Sequence, residues 1–457
     1  DLHRRRHSFP TRRSSDLVKS NVDYDYFIRT TENAHKELVR NSISKILNSN
    51  SESSESDTHK NPIYLGEYSG YYNMREETFM TKIQASQTNY LDPITERPYE
   101  IIKEPSYFFV LSKYKKEITD TIKNILPPQL RHEIESRLEK GLEDLSISRT
   151  GFSWGIPFPH NNDNDDNNDK NENKEQHIVY VWFDALLNYI TGKNILYGML
   201  DNETNLNTIH IIGKDILWFH SVIYPAILKA CEYDNMFPTN ILVHGFVLDK
   251  NGIKMSKSLG NTITNTELSK YPIDAIRYYM ISNTILGNDF KFDLENMVNS
   301  YNNILIKNFG NLFQRLLKIT KPIQTKINEW ITKNNFIIES RKKNYELEIK
   351  EKFLTSYDFD EYLRILNNLI TELNKTLSNK KPWSIPDECE QIDVMGHLLL
   401  DYNICMCLMF AIIPSKIIEL SEYFDWNEAK LTLREYDIKL KIEPDTGKIK
   451  AFTMINV

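Results

Sequence analysis

The apolar positions of this 457-residue chain change their period partway along. Up to about residue 261, short β-rich runs alternate with helical stretches, whereas beyond Leu294 the strand signals largely cease. Tyr26-Phe27-Ile28 reads as a strand, followed after Thr31 (a candidate cap) by a helix carrying Ala34, Leu38, Val39, Ile43, Ile46 and Leu47 at helical spacing. Residues 61–150 open with hairpin patterning in IYLGEYSGYY and continue with helical patterns. Residues 177–180 and 209–212 read as strands that each lead into a helical pattern. Residues just past such strand ends converge on one crevice, where ligands bind in open parallel α/β sheets. Ile241 to Val243 is a third short run that reads as a buried strand, and Asp249-Lys250-Asn251-Gly252 after it is a turn with glycine available for a left-handed position. Farther on, Leu363, Leu366, Leu369, Ile370, Leu373 and Leu377 mark an amphipathic helix. With residues 301–320 and 398–414 it predicts a helical bundle. The run 398–414 is interrupted by Asp401 and Asn403, is too short and polar for a bilayer span, and reads as a buried helix.

Three polar stretches stand outside this pattern. Residues 48–60 are a Ser/Glu/Asn-rich loop, and residues 161–175 an Asn/Asp/Lys tract that reads as a solvent-facing insertion without the ligand register of a calcium loop. Residues 1–17 are basic and Ser-bearing without periodicity, which reads as an adapter-like leader and stands apart from the fold. In residues 431–457 a hairpin around Asp445-Thr446-Gly447 is expected. Hydrophobic content of 40% and charged content of 26% fit a soluble globular protein of two or three domains. A net charge of −7 excludes a generally basic nucleic-acid binder, so RNA contacts would use local patches. The four cysteines, Cys231, Cys389, Cys405 and Cys407, form no CxxC pair, which leaves neither zinc knuckle nor disulfide framework and makes a reducing compartment the default.

The chemistry concentrates in Lys254-Met255-Ser256-Lys257-Ser258-Leu259-Gly260. Two lysines and two serines near a strand end suit a mobile loop that closes on phosphates, the ammonium groups acting as compact charges beside free N–H and O–H donors. The full stretch, VHGFVLDKNGIKMSKSLGN, resembles the KMSKS loop of class I aminoacyl-tRNA synthetases in its methionyl-tRNA synthetase form. FIRTTENAHKELV, WFDALLNY, IIGKDILWFH, residues 274–280 and Lys381-Pro382-Trp383 resemble the same family in the same order, so the likeness covers roughly residues 22–430.

That resemblance implies an α/β fold: a Rossmann-like class I catalytic domain, its first half incomplete, followed by an all-α anticodon-binding bundle. The implied divisions are a leader at 1–17, a remnant of the first nucleotide-binding half with its loop at 18–60, and a connective insertion at 61–150. The second catalytic half follows at 151–261, a linker at 262–293, the anticodon-binding bundle at 294–430 and a tail at 431–457. The implied activity is ATP-dependent formation of methionyl-adenylate and transfer of methionine to tRNA(Met), with ATP and Mg²⁺ as cofactors. Structural zinc is not expected, because Tyr71 to Glu77 stands where many relatives carry cysteines. Lys254 and Lys257 are the implied catalytic residues. Gly213, Lys214, Asp215, His244, Gly245, Phe246, Val247, Met255, Ser256, Ser258 and Arg149 are implied in ATP or substrate-phosphate binding. Trp182, Ala185, Leu186, Tyr189, Ile216 and His220 match the methionine pocket, where a polarizable thioether gains from aromatic walls. Asn303, Lys307 and Trp383 match anticodon-reading positions. No HIGH-type histidine motif precedes residue 24, so this polypeptide alone is expected to be inactive. The alternatives are a non-catalytic tRNA-binding fragment and a synthetase for another apolar amino acid. A monomer with no membrane association is expected, in an organellar matrix or the cytoplasm.

Overall fold

The computed structural model describes residues 20, 22, 24–48, 61–73, 78–80, 85–86, 88–92, 97–151, 154–159, 176–198, 207–256 and 259–424. The leader, the insertion at 161–175, the tail and its expected hairpin, and Lys257 and Ser258 lie outside them. The chain divides into two units, Tyr24–Val243 and the part from His244 on, taken here in turn.

The first unit begins with α1, Asn33–Asn48, which buries His35, Val39, Ser42, Ile43 and Ile46 along one face. The strand expected at Tyr26-Phe27-Ile28 is not formed: the segment is neither helix nor strand and pairs with no neighbouring strand, and the Tyr26 hydroxyl donates to Glu32. A run of three β-favouring residues is a weak strand signal, since β-propensity depends strongly on context. Next come β1 (Ile63–Asn73), β2 (Thr78–Met80) and β3 (Glu100–Phe109), the core of an antiparallel sheet in which Ile63 faces Phe109 and Tyr72 faces Glu100. Then follow α2 (Lys115–Ile122), β4 (Ile125–Leu126), α3 (Gln129–Glu139), β5 (Leu145–Ser146), β6 (Ser148–Arg149) and β7 (Ile178–Val179). Helices α4 (Val181–Leu186) and α5 (Asn188–Tyr197) follow β7, and β8 (Ile209–Gly213) leads into a continuous helical run. That run passes from a 3₁₀ turn at Lys214–Ile216 through a π-helical turn at Phe219–Ile223 to α6, Tyr224–Ala230. The unit closes on β9, Asn240–His244.

The sequence pattern put the strands before α4 and before the 3₁₀ turn into one parallel sheet; the structure separates them. The sheet order is β4-β9-β8, with β4 parallel to β9, whereas β7 pairs antiparallel with β6. The cause lies in the buried polar contacts of β6. Ser148 Oγ bonds His177 Nδ1 at 2.9 Å and accepts from the Tyr107 N–H at 2.8 Å, which draws β6 and β7 toward β3. The buried strand at Ile241 to Val243 forms as expected, within a core that includes Ile43, Phe109, Phe183 and Tyr224.

From His244 the second unit has, among the described residues, a small parallel pair, β10 (Val247–Leu248) with β11 (Phe290–Lys291), neither of which the sequence pattern announced. Its helices are α7 (Asn265–Leu268), α8 (Ile273–Ser282) and α9 (Leu294–Ser300), then a π-helical stretch Tyr301–Gly310 and α10 (Asn311–Thr320). They continue as α11 (Gln324–Lys333), α12 (Asn335–Lys352), α13 (Phe359–Lys380), α14 (Glu388–Phe410) and α15 (Pro414–Ser421). Helix α13 buries Leu363, Leu366, Leu369, Ile370, Leu373 and Leu377 as its spacing requires, and Asp358 caps it by accepting from the N–H groups of Asp360 and Glu361. The expected buried helix at 398–414 is the C-terminal part of the longer α14. At 23 residues α14 is long and apolar enough to cross a membrane, but most of it is buried among its neighbours here.

Candidate functional site

In the first unit, α4, α5 and the helical run after β8 bring the expected pocket residues together. Trp182 lies flat on Phe219, ring centroids 3.7 Å apart. Tyr189 donates its hydroxyl to His220 Nε2 at 2.8 Å. The direction of that bond follows from the other ring nitrogen, since Nδ1 lies 3.0 Å from the Ile216 carbonyl and must carry the proton it donates there. Ile216 thus fixes the tautomer of His220, and His220 fixes the hydroxyl of Tyr189. Burial lowers the His220 pKa, with the Ile216 carbonyl opposing, so this imidazole works as a neutral acceptor. Tyr189 remains 38% exposed while its partner is buried, so the pair presents one aromatic face outward from a fixed base. Ala185 and Ile216 are partly buried beside them in sequence. Leu186 is different: at 1% exposure it belongs to the hydrophobic core of the unit.

Asp184 anchors this wall from behind. His35 of α1, fully buried, bonds Asp184 Oδ1 through Nε2 at 2.5 Å and Thr191 Oγ1 through Nδ1 at 2.9 Å. Gly213 ends β8, and Lys214 and Asp215 occupy the first turn of the helical run, Asp215 exposed. Free N–H groups at such a start favour an anionic ligand.

Arg149 does not reach out to a ligand in this structure, contrary to expectation. It is 5% exposed, its Nε lies 3.4 Å from Glu104 Oε1, and its Nη1 donates to Ser146 Oγ at 2.5 Å and to the Ser148 carbonyl at 2.7 Å. Its guanidinium lies against the rings of Tyr180, 4.2 Å from the centroid, and Tyr68, 4.6 Å away. The residue ties β3 and β6 together inside the chain.

In the second unit the lysine loop is pinned at both ends by side chains. Asp249 Oδ1 accepts from the N–H groups of Asn251 and Ile253, each at 2.9 Å, while Asp249 Oδ2 accepts from Asn261 Nδ2 at 2.9 Å. Asn261 also donates to the Lys254 carbonyl at 3.3 Å and accepts from the Ser256 N–H at 2.9 Å. The Ile253 N–H first, and the Asn261 amide next, hold the Asp249 carboxyl below its usual range. Gly252 takes the left-handed conformation expected of it, φ +82°. Lys254 is exposed, with its ammonium 3.7 Å from the centroid of the Phe246 ring. The Phe246 N–H donates to Asp289 Oδ1 at 2.6 Å, and a Cβ on Gly245 would lie 2.1 Å from the Asn288 carbonyl oxygen, so only glycine fits there. The His244 Nδ1–H donates to the Gly245 carbonyl at 2.9 Å. Met255 and Val247, both expected near ATP, pack instead against a small core of Tyr279, Phe292, Met297 and Val298. An apolar side chain in an otherwise polar loop is more stable in that cleft than in water.

Farther along the second unit, Lys307 Nζ donates to Asn303 Oδ1 at 2.9 Å on an exposed helical face. Trp383 is 52% exposed in the 3₁₀ turn Pro382–Ser384, which the left-handed Lys381 (φ 45°) separates from α13. Sequence reasoning missed Asp249, Asn261, Phe219, His210 and Tyr224. The Asp-x-Asn-Gly spacing carried a usable signal for Asp249, as an Asx turn; Asn261 closes the resemblance motif but nothing local marks its role.

Comparison with known proteins places the chain in a family. Residues 6–317 match the sequence family described as tRNA synthetases class I (M). The chain is 33% identical over 421 residues to a methionine–tRNA ligase of Helicobacter pylori, which covers 88% of this chain and 60% of that protein. It is 32% identical over 449 residues to the methionine–tRNA ligase of Rickettsia conorii, covering 92% of this chain and 81% of the relative. Its fold is similar to that of Mycobacterium tuberculosis methionyl-tRNA synthetase in complex with methionyl-adenylate, with a TM-score of 0.73 at 25% identity over 95% of this chain and 84% of that one.

Proposed function

Because the chain belongs to the methionyl-tRNA synthetases of class I, we propose that it is a methionine–tRNA ligase, joining methionine to tRNA(Met) through an adenylate. Its architecture is the Rossmann-like class I catalytic fold followed by a helical region. The observation that carries the reading is the neutral His220–Tyr189 pair beside the stacked Trp182 and Phe219. An apolar, polarizable side chain is held by aromatic faces, and one fixed hydroxyl supplies selection.

In the proposed first step the methionine carboxylate attacks the α-phosphorus of ATP, and pyrophosphate leaves with its electron pair. Charge gathers on the leaving group, so a cation aimed there accelerates the step without any covalent nucleophile. Lys254, with Lys257, takes that role, and Mg²⁺ enters bound to the triphosphate of the substrate. Asp249 and Asn261 hold the loop's two ends so that the ammonium of Lys254 is presented rather than buried. Asp215 and the helix start behind Gly213 contact the nucleotide, and Asn303, Lys307 and Trp383 contact the anticodon. In the second step the aminoacyl group passes to a ribose hydroxyl of tRNA and AMP leaves.

The test is ATP–pyrophosphate exchange with methionine, leucine and isoleucine, run on the chain joined to a first nucleotide-binding half that carries a HIGH-type histidine motif. Exchange dependent on methionine alone, lost in Lys254→Ala, is the expected result. Equal exchange with leucine would remove methionine specificity, and tRNA binding without exchange by any amino acid would favour a non-catalytic tRNA-binding protein.

A further inference from the structure

Four rings meet behind the exposed face of Tyr189. His210 of β8, 2% exposed, stacks on Tyr189 with centroids 4.2 Å apart; His220 meets His210 edge-on at 5.6 Å, and the fully buried Tyr224 packs against it at 5.2 Å. Tyr189 and His220 satisfy each other. His210 and Tyr224 find no such match: among the described residues, neither ring nitrogen of His210 nor the Tyr224 hydroxyl has a hydrogen-bond partner. Buried polar atoms are nearly always paired with protein or with ordered water. Phenylalanine at either position would fill similar space without the polar atoms.

The chemistry of the pair narrows what joins them. Burial holds the His210 pKa down to about 3, with His220 adding to the effect, so the ring is neutral and offers one donor and one acceptor. Burial also raises the Tyr224 pKa, leaving a phenol that both donates and accepts. Two neutral groups of mixed donor and acceptor character suit a neutral ligand of the same character, and water needs two to four such partners.

We propose that His210 and Tyr224 together hold a buried water molecule, and that this site positions the Tyr189 ring for ligand recognition. The water site stands independently of the ligase reading, whereas the positioning role rests on it. The rear of the pocket then has two hydrogen-bonded layers, His220–Tyr189 in front and His210–water–Tyr224 behind.

The test is a double-mutant cycle in the full chain with His210→Phe, Tyr224→Phe and the double variant, read by Tm and by methionine affinity. Each single change strands a partner and lowers Tm by roughly 2–6 °C, while the double variant, with both polar ends gone, recovers most of the loss. Each single change also weakens methionine binding roughly fivefold to thirtyfold, by loosening Tyr189. A rise of Tm in His210→Phe would show that its nitrogens were unsatisfied in the native protein and overturn the water site, as would additive losses in the double variant. Coupled Tm values with unchanged methionine affinity overturn the positioning role. A parent chain that binds no methionine refutes the ligase reading instead, and the Tm cycle still decides the water site.

Discussion

Replacing Arg149 by alanine distinguishes an internal anchor from a phosphate contact. Arg149 and Glu104 have side chains only 6% and 9% exposed, 3.4 Å apart, so removing the arginine leaves a buried carboxylate whose remaining donors among the described residues are the N–H and hydroxyl of Thr150, both at 3.4 Å. Breaking such a pair from one side costs about 3–5 kcal/mol. The contacts with Tyr180 and Tyr68 go as well, and a desolvated cation–π contact contributes on the order of 1–2 kcal/mol. The unit Tyr24–Val243 is of a size for which each kcal/mol moves Tm by about 2–4 °C, so Arg149→Ala should lower its Tm by roughly 8–28 °C. The paired change to methionine at both 104 and 149 should recover much of that loss, because apolar groups of similar volume need no partner. The assay is thermal unfolding followed by near-ultraviolet dichroism, run beside ATP binding on the folded fraction. A variant whose Tm stays within about 2 °C of the parent while ATP affinity drops tenfold would refute the anchor reasoning and return Arg149 to the ligand.

Stability should depend on pH through the two buried histidines. The folded pKa of His210 is pushed from 6.5 to about 3 by burial, and that of His220 is lowered too, so below 6.5 the unfolded chain takes up protons that the folded chain refuses. Their contribution is complete above 6.5 and falls as pH falls; at about pH 5 the loss from His210 alone is about 2 kcal/mol, measurable as a lower urea midpoint. His210→Phe should flatten that slope, and an unchanged slope would mean His210 is not the group responsible. Gly245→Ala would place a methyl 2.1 Å from the Asn288 carbonyl oxygen and 2.5 Å from the Asp289 nitrogen, both backbone atoms that cannot turn aside. It should cost about 1–3 kcal/mol by overpacking and disturb the Phe246–Asp289 bond, read by urea unfolding; a neutral outcome would show that this turn yields. Trp383→Ala should leave Tm nearly unchanged, since the ring is 52% exposed, but weaken tRNA(Met) binding by about 1–3 kcal/mol if the ring stacks on a base. Filter binding checks it, and equal affinities would remove Trp383 from the RNA contact.

How much of this was legible beforehand varies with the range of the interaction involved. The helical unit was readable because its signal is local: the apolar positions of α13 recur every three or four residues, and all of them are buried. The lysine loop was readable as a motif, and Gly252 as a turn glycine, for the same reason. Strand pairing was not, because a two-residue strand such as β7 carries no register of its own and its partner is chosen by contacts from distant residues, here Ser148 with His177 and Tyr107. The inward partners of Arg149 were illegible on the same ground. Nothing within a few residues of it announces that Glu104, forty-five positions earlier by number, supplies the opposing charge.

The pocket shows why such long-range contacts carry the chemistry. Trp182 and Tyr189 were visible as aromatics near a strand end, but what gives Tyr189 a defined hydroxyl direction is His220, whose own proton is fixed by the Ile216 carbonyl one helical turn earlier. What holds their helix pair is His35, which reaches Asp184 and Thr191 from more than 140 residues away in the chain. Replacing His35 by glutamine keeps a donor and an acceptor but shortens the reach between two fixed partners, so one of the two bonds is lost. Loss of a bond to a partly buried carboxylate costs about 1.5–3 kcal/mol. If α4 is then free to shift, methionine affinity falls along with stability, and the ligand loses protection against unfolding in the same measure. If His35→Gln lowers the urea midpoint but leaves methionine affinity at the parent value, α4 is held by its packing alone, and the His35–Asp184 bond serves the fold without setting the pocket.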